Sequence, residues 1–143
     1  MSIYISNSVG DTEKLAKIIA DKLQGGEVIA LYGGMGMGKT AFVRALCAAL
    51  EFSGEVSSPT FAIVHEYTGG RLNVYHFDMY RVESWDDLYS TSFFDYMDMG
   101  GVTVTEWSEN IEGALPDECI KISFSLGENQ DQRIIDVFGV DIQ

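Results

Sequence analysis

A chain of 143 residues with 46% hydrophobic side chains has the length and apolar content for one domain with a substantial core, and leaves little room for a second. Its net charge of −13 argues against autonomous binding to DNA or to an RNA backbone, because such binding needs clustered Lys and Arg. No apolar run approaches the roughly 18 residues of a membrane span, and Met1-Ser2-Ile3-Tyr4 is not a basic segment leading into an apolar one, so the expectation is a cytoplasmic protein without membrane attachment.

Ile3 to Ile5 reads as a short edge strand. From Asp11 to Leu23 the apolar residues Leu15, Ile18, Ile19 and Leu23 form a helical stripe, with Ser8 and Asp11 available as caps and Gly25-Gly26 as a stop. Glu27 to Tyr32 is a strand-like run that feeds a glycine-rich loop. Ala41 to Leu50 then reads as a helix that buries Phe42, Val43, Leu46 and Leu50. Ser53-Gly54 breaks the pattern, and Ser57-Ser58-Pro59 cannot continue a regular helix. Phe61 to Tyr67 and Leu72 to Phe77 read as two strands joined at Thr68-Gly69-Gly70-Arg71, a hairpin signal. Ser84 to Met97 is predicted to be helical in pieces, Val102 to Thr105 a short strand and Gly113 to Asp117 a turn. Ile120 to Leu126 and Ile134 to Phe138 read as a closing pair of strands. No repeat or long linker divides the chain, so residues 1–143 are expected to form one α/β domain with a mixed central sheet flanked by helices. Cys47 and Cys119 read as small core or boundary residues rather than a disulfide or a metal pair.

The loop itself carries the chemistry. Gly33-Gly34-Met35-Gly36-Met37-Gly38-Lys39-Thr40 fits the pattern G-x-x-x-x-G-K-[ST], in the strand–loop–helix order that the pattern needs. Glycines let the backbone curl so that N–H groups face phosphate oxygens, and the following helix adds its positive dipole end. Lys39 can then reach the β/γ-phosphates and the Thr40 hydroxyl can ligate Mg²⁺, which predicts a bound nucleoside triphosphate. Asp78 and Glu106 each end a predicted strand. If those strands run parallel to the one before Gly33, all three carboxyl ends open on one sheet edge, where ligands of open α/β sheets sit. Thr60, just past a proline, occupies the kind of loop that orders with nucleotide state in several hydrolases. His76 reads as a core histidine, while Tyr80-Arg81 and Trp107 read equally as site residues or as packing residues next to the sheet edge.

The charge is unevenly spread. Residues 1–50 carry five basic and four acidic side chains, whereas residues 51–143 carry four basic and eighteen acidic ones. The acidic half is either a solvated surface or a face that docks a basic partner while repelling nucleic acid.

Taken together, Gly33 to Thr40, Ser58-Pro59-Thr60-Phe61, His76-Phe77-Asp78-Met79-Tyr80-Arg81 and Glu106-Trp107 resemble, in order and spacing, the TsaE family (formerly YjeE). The resemblance implies a P-loop NTPase fold, ATP and Mg²⁺ as ligands and weak ATPase activity. It also implies a supporting role in placing a threonylcarbamoyl group on N6 of adenosine 37 of tRNAs reading ANN codons. In that family TsaD with TsaB modifies the tRNA, and the ATPase resets or activates that complex, touching tRNA only indirectly. By position, Lys39 would hold the β/γ-phosphates, Thr40 and Glu106 would hold Mg²⁺, Asp78 would be required for hydrolysis and Thr60 would belong to a switch-like segment. The region Val9 to Thr12 would lie near the adenine, with Arg133 as a further nucleotide contact. Ala41 stands where the family often has a second threonine, and Ser108 where proline is common. The alternatives are a small-molecule kinase, disfavoured because only Arg71, Arg81 and Arg133 follow Arg44, and a nucleotide-sensing module that does not hydrolyse ATP.

Overall fold

The computed structural model describes residues 2–54, 56 and 63–143. Within them the chain runs β1 (Ser2–Ser6), α1 (Val9–Lys22), β2 (Val28–Tyr32), α2 (Lys39–Ala49), β3 (Val64–Tyr67) and β4 (Val74–Asp78). It continues through α3 (Trp85–Ser90), α4 (Phe93–Met97), β5 (Val102–Glu106), a 3₁₀ helix (Ser108–Ala114), β6 (Ile120–Leu126) and β7 (Arg133–Phe138). The seven strands form one sheet in the order β1-β7-β6-β2-β5-β4-β3.

The four central strands, β6, β2, β5 and β4, are mutually parallel. Antiparallel partners close each side, β3 on β4 at one edge and β7 with β1 at the other. The sequence explains this division. Val28-Ile29-Ala30-Leu31 is apolar at consecutive positions and is buried throughout, as a strand covered on both faces must be. β1 alternates between half-buried and exposed residues along most of its length, which suits an edge.

Each face of the sheet has its own core. Ile29, Leu31, Val104 and Ile122 pack with Leu15 and Ile19 of α1 and with Phe42 and Leu46 of α2. On the opposite face Ala30, Tyr75 and Phe77 pack with Leu88 of α3, Phe93 of α4 and Ile111 of the 3₁₀ helix. The result is a mixed seven-stranded α/β sheet flanked by helices on both sides.

Local chemistry sets the element ends. Ser8 is the N-cap of α1, its Oγ accepting from the Asp11 amide at 3.2 Å while Asp11 Oδ2 accepts from the Asn7 amide at 2.9 Å, so the helix starts at Val9, two residues ahead of the predicted Asp11. At the other end Arg71 donates to the carbonyls of Ala20 (2.7 Å) and Leu23 (3.1 Å), tying the β3–β4 hairpin to α1. Beyond Leu23, Gly25 has φ of +112°, and a Cβ there would meet the Gly100 carbonyl at 2.5 Å. The 3₁₀ helix is the one element that the sequence pattern does not announce. Trp107 turns into the left-handed region (φ 58°), and the buried Ser108 hydroxyl bonds the Leu31 and Thr105 carbonyls, each at 3.0 Å. Those bonds fold a polar run, Ser108-Glu109-Asn110, back onto the sheet edge.

Among the described residues no helix is long and apolar enough to cross a membrane. Cys47 and Cys119 are free and buried. Burial pushes the Cys47 thiol up to about 12. It also pushes up Cys119, against a weaker pull from its hydrogen bond to the Ala30 backbone and from Lys121, to about 11. A raised thiol pKa means less thiolate at a given pH, so neither cysteine is expected to react with a thiol reagent at about pH 8, near an unperturbed thiol's pKa, while both should react after unfolding. Stoichiometric labelling of the folded protein at that pH would contradict the assignment.

Candidate nucleotide site

Parallel pairing brings the candidate residues to one edge. Asp78, the last residue of β4, pairs in register with Glu106, the last residue of β5. β2 runs parallel to β5 and ends at Tyr32, directly before Gly33. Since β7 is antiparallel to β6 and β1 antiparallel to β7, Arg133 at the start of β7 and Ser6 at the end of β1 lie at this same edge.

The loop is shaped for backbone donors. Gly33, Gly36 and Gly38 have φ of +131°, +76° and +98°. A side chain on Gly33 would also strike the Phe124 carbonyl at 2.7 Å, whereas Gly34, Gly36 and Gly38 face open space. Gly38 is the N-cap of α2, which has neither a side-chain cap bond nor an acidic residue in its first turn. The amides of its first turn, at Lys39, Thr40 and Ala41, therefore present an uncompensated positive helix end. Arg133 braces the loop from β7: Nε donates to the Met37 carbonyl and Nη2 to the Gly36 carbonyl, both at 3.3 Å. In a trans peptide the N–H points opposite to its C=O, so the Met37 and Gly38 amides are turned away from Arg133. Met35, at 87% exposure, carries no packing role.

A charged trio lies below the loop. Lys39 is buried, with Nζ donating to the Gly33 carbonyl at 2.6 Å and lying 3.9 Å from Glu106 Oε1. The other oxygen, Glu106 Oε2, is 2.6 Å from Nε2 of the fully buried His76. Burial alone would raise the Glu106 pKa. The hydrogen bond from His76, then the attraction of His76 and of the Lys39 ammonium, outweigh burial and hold the carboxyl below the usual carboxylate range. An ionised Glu106 requires the His76 proton on Nε2. The other ring nitrogen, Nδ1, is buried without a hydrogen-bond partner among the described residues.

The strand ends are cross-tied. The Met79 amide donates to the Glu106 carbonyl at 3.0 Å, and Asp78 Oδ1 accepts from the Tyr80 amide at 2.9 Å. Tyr80 packs edge-on against Trp107, over whose ring Lys39 Nζ lies 5.9 Å from the centroid.

The edge thus unites Gly33 to Ala41, Asp78, Glu106 and Arg133. Val9 is exposed beside it at the start of α1, in the turn after β1, while the Thr12 hydroxyl is engaged by Ser6 Oγ at 2.7 Å. Thr60 and its neighbours Ser58, Pro59 and Phe61 lie outside the described residues. His76 is buried as expected, but its bond to Glu106 was not anticipated. The signal was present: once β4 and β5 pair in parallel, His76 sits opposite Val104, and Glu106, two residues on, shares that face.

Which ions these residues fit can be judged from their donors. Thr40 and Glu106 offer hard oxygen ligands, and no group of three or more His, Cys, Asp or Glu among the described residues could hold a metal alone. That suits Mg²⁺, which keeps several waters and takes the remainder of its shell from substrate phosphates.

Comparison with known proteins agrees with the geometry. The family model for the threonylcarbamoyl adenosine biosynthesis protein TsaE matches residues 6–135. The tRNA threonylcarbamoyladenosine biosynthesis protein TsaE of Treponema pallidum is 35% identical over 122 residues, covering 85% of this chain and 90% of that protein. Its namesake from Bacillus subtilis is 35% identical over 124 residues, covering 87% and 77%. The crystal structure of Bacillus subtilis YdiB superposes with a TM-score of 0.78 at 30% identity, covering 94% of this chain and 82% of that one. The chain belongs to the TsaE family and is a protein of tRNA threonylcarbamoyladenosine biosynthesis.

Proposed function

We propose that this chain is a Mg²⁺-dependent P-loop ATPase of the cytoplasm whose binding and hydrolysis of ATP reset or activate a TsaB–TsaD complex during threonylcarbamoylation of tRNA. The observation that carries the reading is the assembly at one edge of an uncapped helix N-terminus, a buried lysine and a carboxylate held ionised beside it. In this reading the Met37, Gly38, Lys39, Thr40 and Ala41 amides cradle the phosphates, and Lys39 moves from the Gly33 carbonyl to the β/γ-phosphates. Arg133 contributes by fixing the loop, and Val9 and Thr12 border the adenine. Thr40 and Glu106 hold Mg²⁺, which when bound neutralises charge on the phosphates. Asp78, anchored by the Tyr80 amide, places or activates the attacking water, and Thr60 senses nucleotide state. His76 positions Glu106 through Nε2. With no basic cluster of its own, the chain reaches tRNA through its protein partners.

Lys39→Ala should lower ATP hydrolysis by about 10²-fold or more, since it removes a preorganised charge at the transferring phosphoryl group. Phosphate release measured with and without TsaB–TsaD tests this. No release from the wild type in either case would leave a nucleotide-sensing module, and phosphate appearing on a small acceptor would make the chain a kinase.

Glu106→Ala should shift the Mg²⁺ concentration needed for half-maximal turnover upward, and an unchanged Mg²⁺ profile would remove Glu106 from the metal site.

His76→Ala leaves Glu106 buried without its short hydrogen bond, at a cost of about 1–3 kcal/mol in unfolding free energy. His76→Gln, whose amide can donate from a similar position, should recover most of the stability and of the affinity for Mn²⁺ used as a spectroscopic probe. Equal loss in both variants would mean that the ring packs and does not position.

A further inference from the structure

A second concave surface lies next to the candidate nucleotide site. It is a groove of about 270 Å³ between the segment Val82 to Leu88 and the 3₁₀ helix. Val82, Leu88 and Ile111 form its buried apolar floor, and Trp85, 55% exposed, stands on its rim. A half-exposed indole above an apolar floor is the composition of a protein contact rather than of a solvated face.

The surroundings select the occupant. Residues 82–120 contain ten carboxylates and no lysine, arginine or histidine; the flanking cations are Arg81 and Lys121, and Lys121 pairs with Glu112 at 3.2 Å, which leaves the carboxylates in large excess. All except Glu106 are exposed. Glu83 lines the groove, Asp86 and Asp87 follow it along one wall, and Glu109 adjoins the opposite wall at Asn110. Such a surface repels a phosphate backbone or an anionic lipid and attracts a cationic polypeptide.

We propose that this groove docks a basic segment of a protein partner. An aliphatic side chain of that segment sits on Val82, Leu88 and Ile111. Flanking arginines or lysines face the carboxylates and the π-face of Trp85. The groove walls are the chain segments that directly follow Asp78 and Glu106. Asn110 Nδ2 donates to the Met79 carbonyl at 2.9 Å and to the Tyr80 carbonyl at 3.3 Å, and Met79 in turn bonds Glu106. Docking therefore bears on both carboxylates of the candidate site without touching the nucleotide, which gives partner binding a route to hydrolysis. This inference rests on the reading of the chain as a partner-regulated ATPase.

The test is the affinity of the chain for purified TsaB–TsaD at two ionic strengths. It compares wild type, Trp85→Ala, the double variant Glu83→Lys/Asp86→Lys and an equal-charge control, Glu13→Lys/Asp141→Lys, on exposed positions elsewhere. Both groove variants should bind about tenfold or more weakly, and the control should stay within a factor of about two. The charge-reversed groove should also lose much of the salt dependence, while hydrolysis by the isolated chain stays unchanged. Wild-type affinity in the groove variants, or equal loss in the control, overturns the groove assignment and leaves the ATPase reading intact. If the wild type fails to bind TsaB–TsaD with either ATP or ADP, the partner reading falls and the groove assignment falls with it.

Discussion

The site depends on keeping one buried carboxylate ionised. Glu106 is 7% exposed, and an ion in such surroundings loses several kcal/mol of hydration unless hydrogen bonds and opposite charge offset the loss. Here His76 Nε2 supplies the hydrogen bond at 2.6 Å and Lys39 the nearest cation at 3.9 Å. Each of the three groups sits on a different element: His76 on β4, Glu106 on β5 and Lys39 on α2. Parallel pairing of β4 with β5 sets the first distance, and packing of α2 over the sheet sets the second. The trio is therefore as much a consequence of the fold as a feature of the site: a one-residue slip of β5 would turn Glu106 to the other face, and the same slip of β4 would turn His76.

Much of this architecture is legible in the sequence. The glycine loop between an apolar strand and an apolar helix announces itself, because glycine adopts at no steric cost the positive φ found at Gly33, Gly36 and Gly38. The hairpin at Thr68 to Arg71 and the closing strands are equally plain from their alternation and turn residues. What local pattern does not carry is long-range pairing. The bond between His76 and Glu106 spans 30 residues, and the Asn110 tether to Met79 spans 31. The 3₁₀ helix escaped for a related reason: its determinant is a serine hydroxyl that reaches a carbonyl on β2, 77 residues away. Arg133 enters the sequence reading only through the family resemblance, as a nucleotide contact; its bonds to the loop carbonyls depend on β7 lying beside β6 and are not carried by local pattern.

The two halves of the charge distribution serve different ends of the molecule. The near-neutral N-terminal third builds the loop and the helix that follows it, where one lysine and the helix dipole provide the positive potential. The acidic remainder carries eighteen of the twenty-two carboxylates; in the proposed reading they disfavour a phosphate backbone and suit a cationic protein. A chain of this kind suits chemistry in which nucleotide state governs association with a partner and the partner carries the RNA. Short hydrogen bonds tie Asp78, Met79, Tyr80, Glu106 and Asn110 together, and in the proposed reading they join the nucleotide site to the partner surface.

The most direct test of that division of labour is reconstituted tRNA threonylcarbamoylation by TsaB–TsaD over many turnovers, with the wild-type chain, with Lys39→Ala, or with neither. Sustained product formation is expected only with the wild type, with the other two reactions stalling early. Equal multiple-turnover yields in all three would contradict the role proposed for ATP hydrolysis by this chain.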